Sequence, residues 1–298
     1  MMTASPFTLT NDDAYCRWRE RKLAAVPTRL ADLVVEIGDP RQLSASAQQA
    51  LLDRCQRANL ALYVGTTGDD PDKAIPTALG ARCGLRRLDH NRGADEDAIT
   101  ALTVRDDARH RDYIPYSNRP ISWHTDGYYN APEQQIRGLI LHCVQPAAEG
   151  GANELLDPEI VYILLRDRDP EHIRALMHPE CMAIPAHDPG DGAPRPERVG
   201  PVFSVAADGY LHLRYTHRAR NIRWRDDAAT TAAVAALREI LAQPTPWHFK
   251  ARLESGWGLI CNNVLHTRDG FRDGARPRLL YRARYYERVG AAAASSAH

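Results

Sequence analysis

Short apolar stretches separated by polar turns dominate the pattern of the chain. Strands are predicted where apolar residues run together or alternate with polar ones, and helices where they recur every three or four positions. The predicted strands are Leu60–Val64, 99–104, 138–144, 201–205, 210–215, 247–251, 258–261 and 276–285. The predicted helices are Asp12–Ala25, 43–59, 75–84, 157–166, Pro170–Leu176 and 228–241. This order predicts a β-rich α+β fold, a barrel or sandwich with flanking helices.

One domain accounts for this pattern, because no internal repeat or linker interrupts it. We expect a single domain over residues 1–289, with a helical entry segment, and a disordered Ala/Ser tail at 290–298.

Two stretches are predicted to be long loops. Residues 106–120 lead directly to His124 and are a candidate wall of a site. Residues 187–200 are rich in proline, glycine and charge and are interpreted as a mobile loop that can act as a lid.

Composition narrows the class of protein. Acidic and basic residues balance at 38 each, which argues against a general binder of nucleic acid or of membrane surfaces. No apolar leader or membrane-spanning run is present. The cysteines are scattered without a C-x-x-C pair, which favours reduced, mostly buried thiols and a cytoplasmic protein. They are Cys16, Cys55, Cys83, Cys143, Cys181 and Cys261.

The candidate chemistry centres on His124-Thr125-Asp126. In a strand the two outer side chains share a face and can offer one imidazole nitrogen and one carboxylate oxygen to a divalent metal. Two imidazoles and one carboxylate with open positions favour non-haem Fe(II). The alternative is that His124 and Asp126 form only a structural hydrogen-bonded pair beside a turn. His266, in a polar turn after a strand, is the candidate second histidine, whereas His142 and His248 are interpreted as structural.

A row of arginines follows on the last predicted strand. Arg278, Leu280, Arg282 and Arg284 share one face of it. Guanidinium groups favour bidentate carboxylate partners, so the row is either an anion site or a solvated sheet edge, and for Arg284 we prefer the edge. The Gly150-Gly151 pair allows unusual backbone angles and a close ligand approach, but no Lys-Ser/Thr follows to make a phosphate loop.

Taken in order, four motifs make the chain resemble a known family. They are His124-Thr125-Asp126, Gly150-Gly151-Ala152-Asn153, Asn262-Asn263-Val264-Leu265-His266 and Arg278-Leu279-Leu280-Tyr281-Arg282. Over roughly residues 40–288 the set is similar to the taurine dioxygenase and 2,4-D dioxygenase superfamily of Fe(II)/2-oxoglutarate-dependent oxygenases, which also includes clavaminate synthase-like enzymes. The resemblance implies a double-stranded β-helix (jelly-roll) core that carries the metal at its mouth.

The resemblance also implies roles for single residues. His124, Asp126 and His266 match the iron ligands, and Arg278 matches the arginine that pairs with the distal carboxylate of 2-oxoglutarate. Asn153 stands where many relatives have a threonine that helps to hold the same co-substrate. Arg282 matches the residue that contacts the anionic group of the substrate in the taurine enzyme.

Two departures concern the substrate. Cys261-Asn262-Asn263 replaces an Asp-Asn-Arg type sequence, and residues 113–120 are unlike the taurine enzyme, so the identity of the substrate does not transfer. Tyr128 and Asn130, directly after the first ligands, are candidate substrate contacts. The remaining candidate walls of the pocket are Tyr116, Asn118, Tyr129 and Trp257.

The implied activity is that of a 2-oxoglutarate-dependent non-haem iron dioxygenase. With Fe(II), 2-oxoglutarate and O2 it hydroxylates an unactivated C–H bond of a small molecule, anionic if Arg282 binds it, and releases succinate and CO2. The intact carboxylate of Asp126 argues against halogenation, since halogenating relatives lack it. Desaturation, cyclisation and epimerisation use the same ligands and stay open, as does a homo-oligomer.

Two other classes stay open from the residues alone. One is a non-catalytic protein on the same fold that binds a metal or a carboxylate, such as a sensor or a module with structural Zn(II). The other is a hydrolase with zinc-activated water. The second leaves Arg278 unexplained, and the first has no need for both an open metal site and a co-substrate arginine.

Overall fold

The structure, a computed structural model, describes residues 5–90, 94–107, 113–187, 194–218 and 222–290. Within these ranges the chain forms six α-helices, four short 3-10 turns and a set of short strands. The helices are α1 (Asp12–Ala25), α2 (Ala45–Ala58), α3 (Ala74–Arg82), α4 (Pro158–Arg168), α5 (Pro170–Leu176) and α6 (Ala228–Ala242). The 3-10 turns are Leu30–Leu33, Pro40–Gln42, Ile114–Tyr116 and Pro132–Gln134.

The strands are numbered along the chain. The first nine are β1 (Val34–Glu36), β2 (Leu60–Val64), β3 (Thr100–Leu102), β4 (Ile121–His124), β5 (Gly138–Gln145), β6 (Glu149–Gly150), β7 (Asn153–Leu156), β8 (Met182–Ile184) and β9 (Arg198–Gly200). The others are β10 (Phe203–Val205), β11 (Leu211–Leu213), β12 (Arg223–Trp224), β13 (Phe249–Ala251), β14 (Trp257–Cys261), β15 (Leu265–Arg268), β16 (Phe271–Arg272) and β17 (Leu279–Tyr285).

Two sheets carry the architecture, which is a mixed α+β fold. The larger has six strands in the order β1-β2-β14-β5-β17-β3, and the smaller has four in the order β13-β7-β15-β4. Only β1 and β2 pair in parallel; the other paired strands of the described residues are antiparallel. A three-stranded sheet, β12-β8-β9, the hairpin β10-β11 and the pair β16-β6, whose strands are distant in sequence, complete the β structure.

The six-stranded sheet is buried on both faces, which explains its near-continuous apolar strands. Alternate residues of β5 belong to different core clusters. Ile140 and Val144 pack with apolar residues of α2 and α3, whereas Leu139 and Leu141 pack with residues of the four-stranded sheet. The inner face between the two sheets is therefore apolar at one end and, as shown below, polar where the arginines of β17 lie.

Local chemistry sets the helix boundaries. Side-chain oxygens of Asn11, Ser44, Asp157 and Asp227 accept hydrogen bonds from backbone N–H groups in the first turns of α1, α2, α4 and α6. Asn59 ends α2 in the left-handed conformation with φ of 59°, which asparagine tolerates better than most residues. The six helices predicted from the sequence are confirmed, with ends shifted by at most two residues.

The structure corrects four details of the predicted elements. His266 lies within β15 and not in a turn, and β4 ends at His124, so Asp126 follows the strand. Residues 198–200 of the predicted loop form β9; its residues 188–193 lie outside the described ranges, as does most of the predicted tail. Trp257 pairs with Val64 at the start of β14, at the opposite end of that strand from the turn before His266.

The cysteine prediction is confirmed: all six cysteines are free, and only Cys16 is exposed. None of the helices in the described part of the chain has both the length and the apolar character that crossing a bilayer requires.

His142 is a core residue of β5, as the sequence predicts. It is fully buried, its Nδ1 lies 3.0 Å from the Tyr63 hydroxyl, and its Nε2 has no hydrogen-bond partner. Burial lowers the pKa of His142 to about 4. The folded protein therefore binds a proton at this ring less readily than the unfolded chain does.

We expect this histidine to make folding stability depend on pH. Stability contributed by neutral His142 is present above pH 6.5 and is lost as the pH falls towards 4, by about 2 kcal/mol at pH 5. The measurement is the free energy of unfolding in urea at pH 7 and pH 5. In His142→Gln, which keeps an acceptor for the Tyr63 hydroxyl but does not titrate, the loss between the two pH values should be smaller. An equal loss in both proteins contradicts the prediction.

Candidate active site

The pairing of β4 with β15 brings His124 and His266 together. The two residues are direct partners in this antiparallel pair, and their ring centroids are 4.2 Å apart. On its other edge β15 pairs with β7, where Leu155 lies opposite His266. His266 thus sits on an inner strand of the four-stranded sheet, which fixes its backbone on both sides.

Asp126 completes a cluster of three metal-binding groups. Its Oδ1 lies 3.6 Å from Nε2 of His124 and 4.0 Å from Nε2 of His266. One ligand atom from each residue lies within 4.8 Å of the others, and these three form the one such cluster found among the described residues. All three donor atoms face a common point, which is the arrangement that three ligands on one face of a metal require.

Backbone carbonyls orient both imidazole rings. Nδ1 of His124 lies 3.0 Å from the Ser122 carbonyl oxygen, and Nδ1 of His266 lies 2.9 Å from that of Val264. A ring that donates from Nδ1 keeps its lone pair on Nε2, the atom that faces Asp126. Burial lowers the pKa of His266 to about 4, which further favours the neutral ring that a metal needs.

The carboxylate of Asp126 is buried but ionised. Burial opposes its charge, yet Arg282, helped by His124, Arg284 and His266, holds the pKa well below its ordinary value. Nη1 of Arg282 lies 3.2 Å from Oδ2, the oxygen that does not face the histidines. Arg282 therefore occupies one carboxylate oxygen and leaves Oδ1 for a metal.

Asn263 fixes the backbone of Asp126. Its Oδ1 accepts from the Asp126 N–H at 2.8 Å, and its Nδ2 donates to the carbonyls of Asp126 at 2.9 Å and Ile136 at 2.7 Å. Asn263 has φ of 51°, in the turn between β14 and β15. One amide side chain thereby ties the ligand after β4 to the turn that leads into the His266 strand.

Arg278 lies just before β17, near the glycine turn. Its guanidinium is 4.9 Å from the ring centroid of Phe271, and a Cβ on Gly151 would lie 3.4 Å from its Nε. Gly150 and Gly151 both have positive φ, and a Cβ on Gly150 would lie 2.2 Å from the Gly270 carbonyl oxygen, so the predicted need for glycine is confirmed here.

The guanidinium of Arg278 forms no ion pair with any carboxylate of the described residues. Within the described ranges no carboxylate comes within 4 Å of its guanidinium, although the residue is only 4 % exposed. Burial lowers the pKa of Arg278, because removing a cation from water without an ion-pair partner costs free energy. A buried guanidinium without an ion-pair partner is suited to an anionic ligand.

The other predicted site residues are placed less directly. The amide nitrogen of Asn153, in β7, donates to the Thr267 carbonyl at 2.7 Å. The amide nitrogen of Asn130 donates to the Gln134 carbonyl at 2.9 Å and lies 3.4 Å from Asp89. Asn130 thus directs its amide nitrogen at two protein acceptors, whereas Asn153 keeps a second N–H for a ligand. Tyr128 is half-buried and follows Asp126 by two residues, and its carbonyl accepts from Arg214 at 3.3 Å.

The prediction of a solvated Arg284 is wrong. Arg284 is 2 % exposed, pairs with Asp89, and donates to the Tyr129 hydroxyl at 2.9 Å. The alternation predicted for β17 is nevertheless confirmed: Leu280 belongs to the core cluster between the sheets, and Tyr281 and Ala283 belong to the cluster against the helices. Arg284 therefore points inward with Arg282 because the strand is covered on both faces.

Comparison with known proteins gives one family. The sequence model of the taurine catabolism dioxygenase TauD, TfdA family matches residues 28–284. A uridine-5'-phosphate dioxygenase of a Streptomyces species is 33 % identical over 199 residues, which are 64 % of this chain and 70 % of that protein.

Solved structures share the fold at low sequence identity. The non-haem iron oxygenase OrfP, in complex with Fe and alpha-ketoglutaric acid, superposes with a TM-score of 0.59 at 17 % identity, over 95 % of this chain and 90 % of that one. An asparagine oxygenase in complex with Fe(II), 2S,3S-3-hydroxyasparagine and succinate gives a TM-score of 0.58 at 14 % identity, over 83 % of this chain and 80 % of that one.

We expect Asn263→Ala to weaken metal binding. The variant leaves the buried carbonyls of Asp126 and Ile136 without a donor, which costs about 1–3 kcal/mol of folding stability. Because Asp126 then loses its anchor, affinity for Fe(II) should fall by about 10–100-fold, measured anaerobically by competition with a chromogenic chelator.

Asn262→Ala is the matched control. Asn262 is the preceding buried asparagine, but it bonds to Asn59 and to the N–H of Val289 instead of Asp126. It should lose stability and keep its metal affinity. Equal Fe(II) affinity in the two variants contradicts the role given to Asn263.

Proposed function

The chain belongs to the taurine catabolism dioxygenase TauD, TfdA family and is an Fe(II)- and 2-oxoglutarate-dependent dioxygenase, and from this premise we propose which residues bind its cofactors and which molecule it oxidises. We propose His124, Asp126 and His266 as the iron ligands, Arg278 with Asn153 as the 2-oxoglutarate site, and a nucleoside 5'-monophosphate as the substrate. The primary support for the substrate is the relative at 33 % identity whose name specifies uridine-5'-phosphate.

The donor set fits an iron ion. The cluster consists of two neutral imidazoles and one carboxylate. Backbone carbonyls accept from Nδ1 of both rings and so direct Nε2 towards Oδ1 of Asp126. This ligand set, with positions left open, is the one that suits non-haem Fe(II) oxygenases. When bound, the iron supplies the reaction of O2 with 2-oxoglutarate that yields succinate, CO2 and an oxidised C–H bond.

The residues of the chain bind and orient the reactants. The unpaired guanidinium of Arg278 suits the distal carboxylate of 2-oxoglutarate, since Arg and carboxylate form two parallel hydrogen bonds. Asn153 already donates one amide N–H to the Thr267 carbonyl. Its contribution to the same site is therefore weaker than that of the threonine in many relatives. Arg282 forms an ion pair with Oδ2 of Asp126, so Oδ1 is the oxygen that would bind the metal.

A nucleotide fits the groups around the cluster. Tyr128 and Tyr129 pack edge-to-face with ring centroids 5.2 Å apart, directly after the metal ligands, and offer aromatic surface to a base. Arg282 is 12 % exposed, and its Nε is buried without a partner, so part of its guanidinium is left for an anionic group such as a phosphate. This is the role that the sequence predicts for Arg282.

Three finer features belong to the same proposal. We propose that the six- and four-stranded sheets form a jelly-roll core, because they face each other across one apolar cluster. The single domain over 1–289 and the cytoplasmic location stay predictions. The non-catalytic alternative has no support in the comparisons, where the relatives are named as dioxygenases and oxygenases.

The substrate proposal predicts coupled turnover with uridine-5'-phosphate. With Fe(II), 2-oxoglutarate and O2, addition of this nucleotide should accelerate succinate formation at least 10-fold over the nucleotide-free rate, measured by mass spectrometry. Uridine without the phosphate should accelerate it far less, because Arg282 then has no anion to bind.

Two controls separate the parts of this test. His124→Ala should abolish both rates. Absence of acceleration by any nucleoside monophosphate, together with the visible charge-transfer band that 2-oxoglutarate forms on Fe(II) under anaerobic conditions, rejects the nucleotide and keeps the dioxygenase.

We expect Arg278→Gln to raise the KM for 2-oxoglutarate. Replacing the guanidinium removes a charge-assisted bidentate contact worth about 1.5–3 kcal/mol, which corresponds to a rise of roughly 10–100-fold. The KM for the nucleotide should change by less than threefold. Arg276→Gln is the matched control, because Arg276 is an exposed arginine two residues away that pairs with Asp69. A similar rise in both variants contradicts the assignment of Arg278.

A further inference from the structure

Arg268 has an unusual set of partners. It lies in β15 two residues after His266 and is 5 % exposed. Its Nη1 donates to the Pro115 carbonyl at 3.1 Å, and its Nη2 lies 2.6 Å from the carbonyls of both Ser117 and Arg119 and 3.4 Å from that of Ile114. One guanidinium thus gathers four carbonyls of residues 114–119, which we call the wall segment.

The wall segment adjoins the strand that carries His124, one of the three candidate metal-binding residues. It leads directly into β4, and Ile121 at the start of that strand lies opposite Arg268, one irregular step along the same strand pair from the His124–His266 pairing. Tyr116 of the wall segment is buried, and the guanidinium of Arg105 lies 5.7 Å from the centroid of its ring. The carbonyl of Asn118 also accepts from the Phe271 N–H at 3.1 Å.

Arg268 is unsuited to binding an anion itself. Its guanidinium donors other than the buried Nε are directed at the wall carbonyls. Burial, and then the nearby charges of Arg278 and Arg282, lower its pKa to about 9. The ring of Phe271 lies against both cations, with its centroid 5.0 Å from Arg268 and 4.9 Å from Arg278. The cost of a third buried cation here is therefore met by carbonyl dipoles and an aromatic face.

We propose that Arg268 is a positioning residue that holds the wall segment against the metal-ligand strand and thereby sets the shape of the substrate pocket. The wall segment is mostly irregular, with a single 3-10 turn at Ile114–Tyr116, so its own backbone hydrogen bonds hold it weakly. A lysine cannot replace the arginine, because its ammonium is a point charge and cannot span four carbonyls as a planar fork does. The consequence for the substrate rests on the function proposed above.

The first test measures the wall directly and needs no substrate. In Arg268→Lys, amide hydrogen exchange at Tyr116 and Ser117, which donate within the 3-10 turn, should accelerate at least 10-fold. Arg166→Lys is the matched control: Arg166 is equally buried in α4, donates to the Pro6 carbonyl and pairs with Asp12. The control should leave exchange in the wall segment unchanged. Unchanged exchange in Arg268→Lys overturns the proposal.

The second test measures how the variant changes substrate binding and coupling. Arg268→Lys should raise the KM for uridine-5'-phosphate about 10-fold and increase the fraction of 2-oxoglutarate consumed without oxidised product, while the KM for 2-oxoglutarate changes less than threefold. Faster exchange with an unchanged nucleotide KM leaves Arg268 a purely structural residue and overturns its role in the pocket. If the wild-type enzyme does not use the nucleotide, the substrate proposal fails, and the exchange experiment still decides whether Arg268 holds the wall.

Phe271→Leu provides a second variant if Arg268→Lys does not fold. It removes the ring that packs on the guanidinium but keeps the arginine and its donors. Exchange at Tyr116 and Ser117 should accelerate in the same direction and by a smaller factor. No acceleration in this variant, with Arg268→Lys unfolded, also counts against the proposal.

Discussion

The antiparallel pairing of β4 with β15 is the constraint on which the site depends. It sets His124 directly opposite His266, and both rings then take their orientation from carbonyls two residues earlier in the chain. Asp126 is the member of the cluster that lies outside a strand, and Asn263 anchors it with three hydrogen bonds to the backbone around it. Backbone geometry therefore positions all three side chains of the cluster.

Buried arginines perform three different tasks in this fold. Arg278 has no ion-pair partner among the described residues and is proposed to bind the anionic co-substrate, whereas Arg284 is neutralised by Asp89. Arg268 and Arg214 instead gather carbonyls; Arg214 donates to those of Tyr128, Met182 and Gly200, among others. Burial lowers the pKa of Arg214 to about 10, so carbonyl dipoles compensate this charge only in part. A guanidinium that spans several carbonyls gives irregular backbone the hydrogen bonds that a sheet would otherwise supply.

The sequence predicts much of this architecture because local rules apply to it. The helices carry caps, the strands of the large sheet are apolar runs, and the order of four motifs identifies the family. Prediction from the sequence fails where the burial or pairing of a residue depends on segments that are distant in the chain. Arg284 is predicted to lie at a solvated edge, since nothing local shows that Asp89 and Tyr129, both distant in sequence, contact it on that face of β17. His266 reads as a turn residue because β15 is short and polar, and only its pairing with two neighbours makes it a strand.

Residues that act through the backbone escaped prediction for the same reason. Asn263 and Arg268 contact main-chain atoms that are distant in sequence, and no spacing rule marks such partners. An asparagine pair between a strand and a candidate ligand is the one local signal for Asn263, since asparagine is the residue type that accepts a left-handed turn and can still bond to backbone.

The division of labour between strands and loops has an evolutionary consequence. The two histidines of the cluster lie in paired strands, whereas the wall segment is mostly irregular chain that Arg268 ties down through its carbonyls. Insertions or replacements in loops of this kind leave the histidines in place. A lineage with this architecture can therefore diverge in the molecules that it oxidises while its iron chemistry is inherited unchanged, and the arginine anchors are the positions at which such divergence meets a limit.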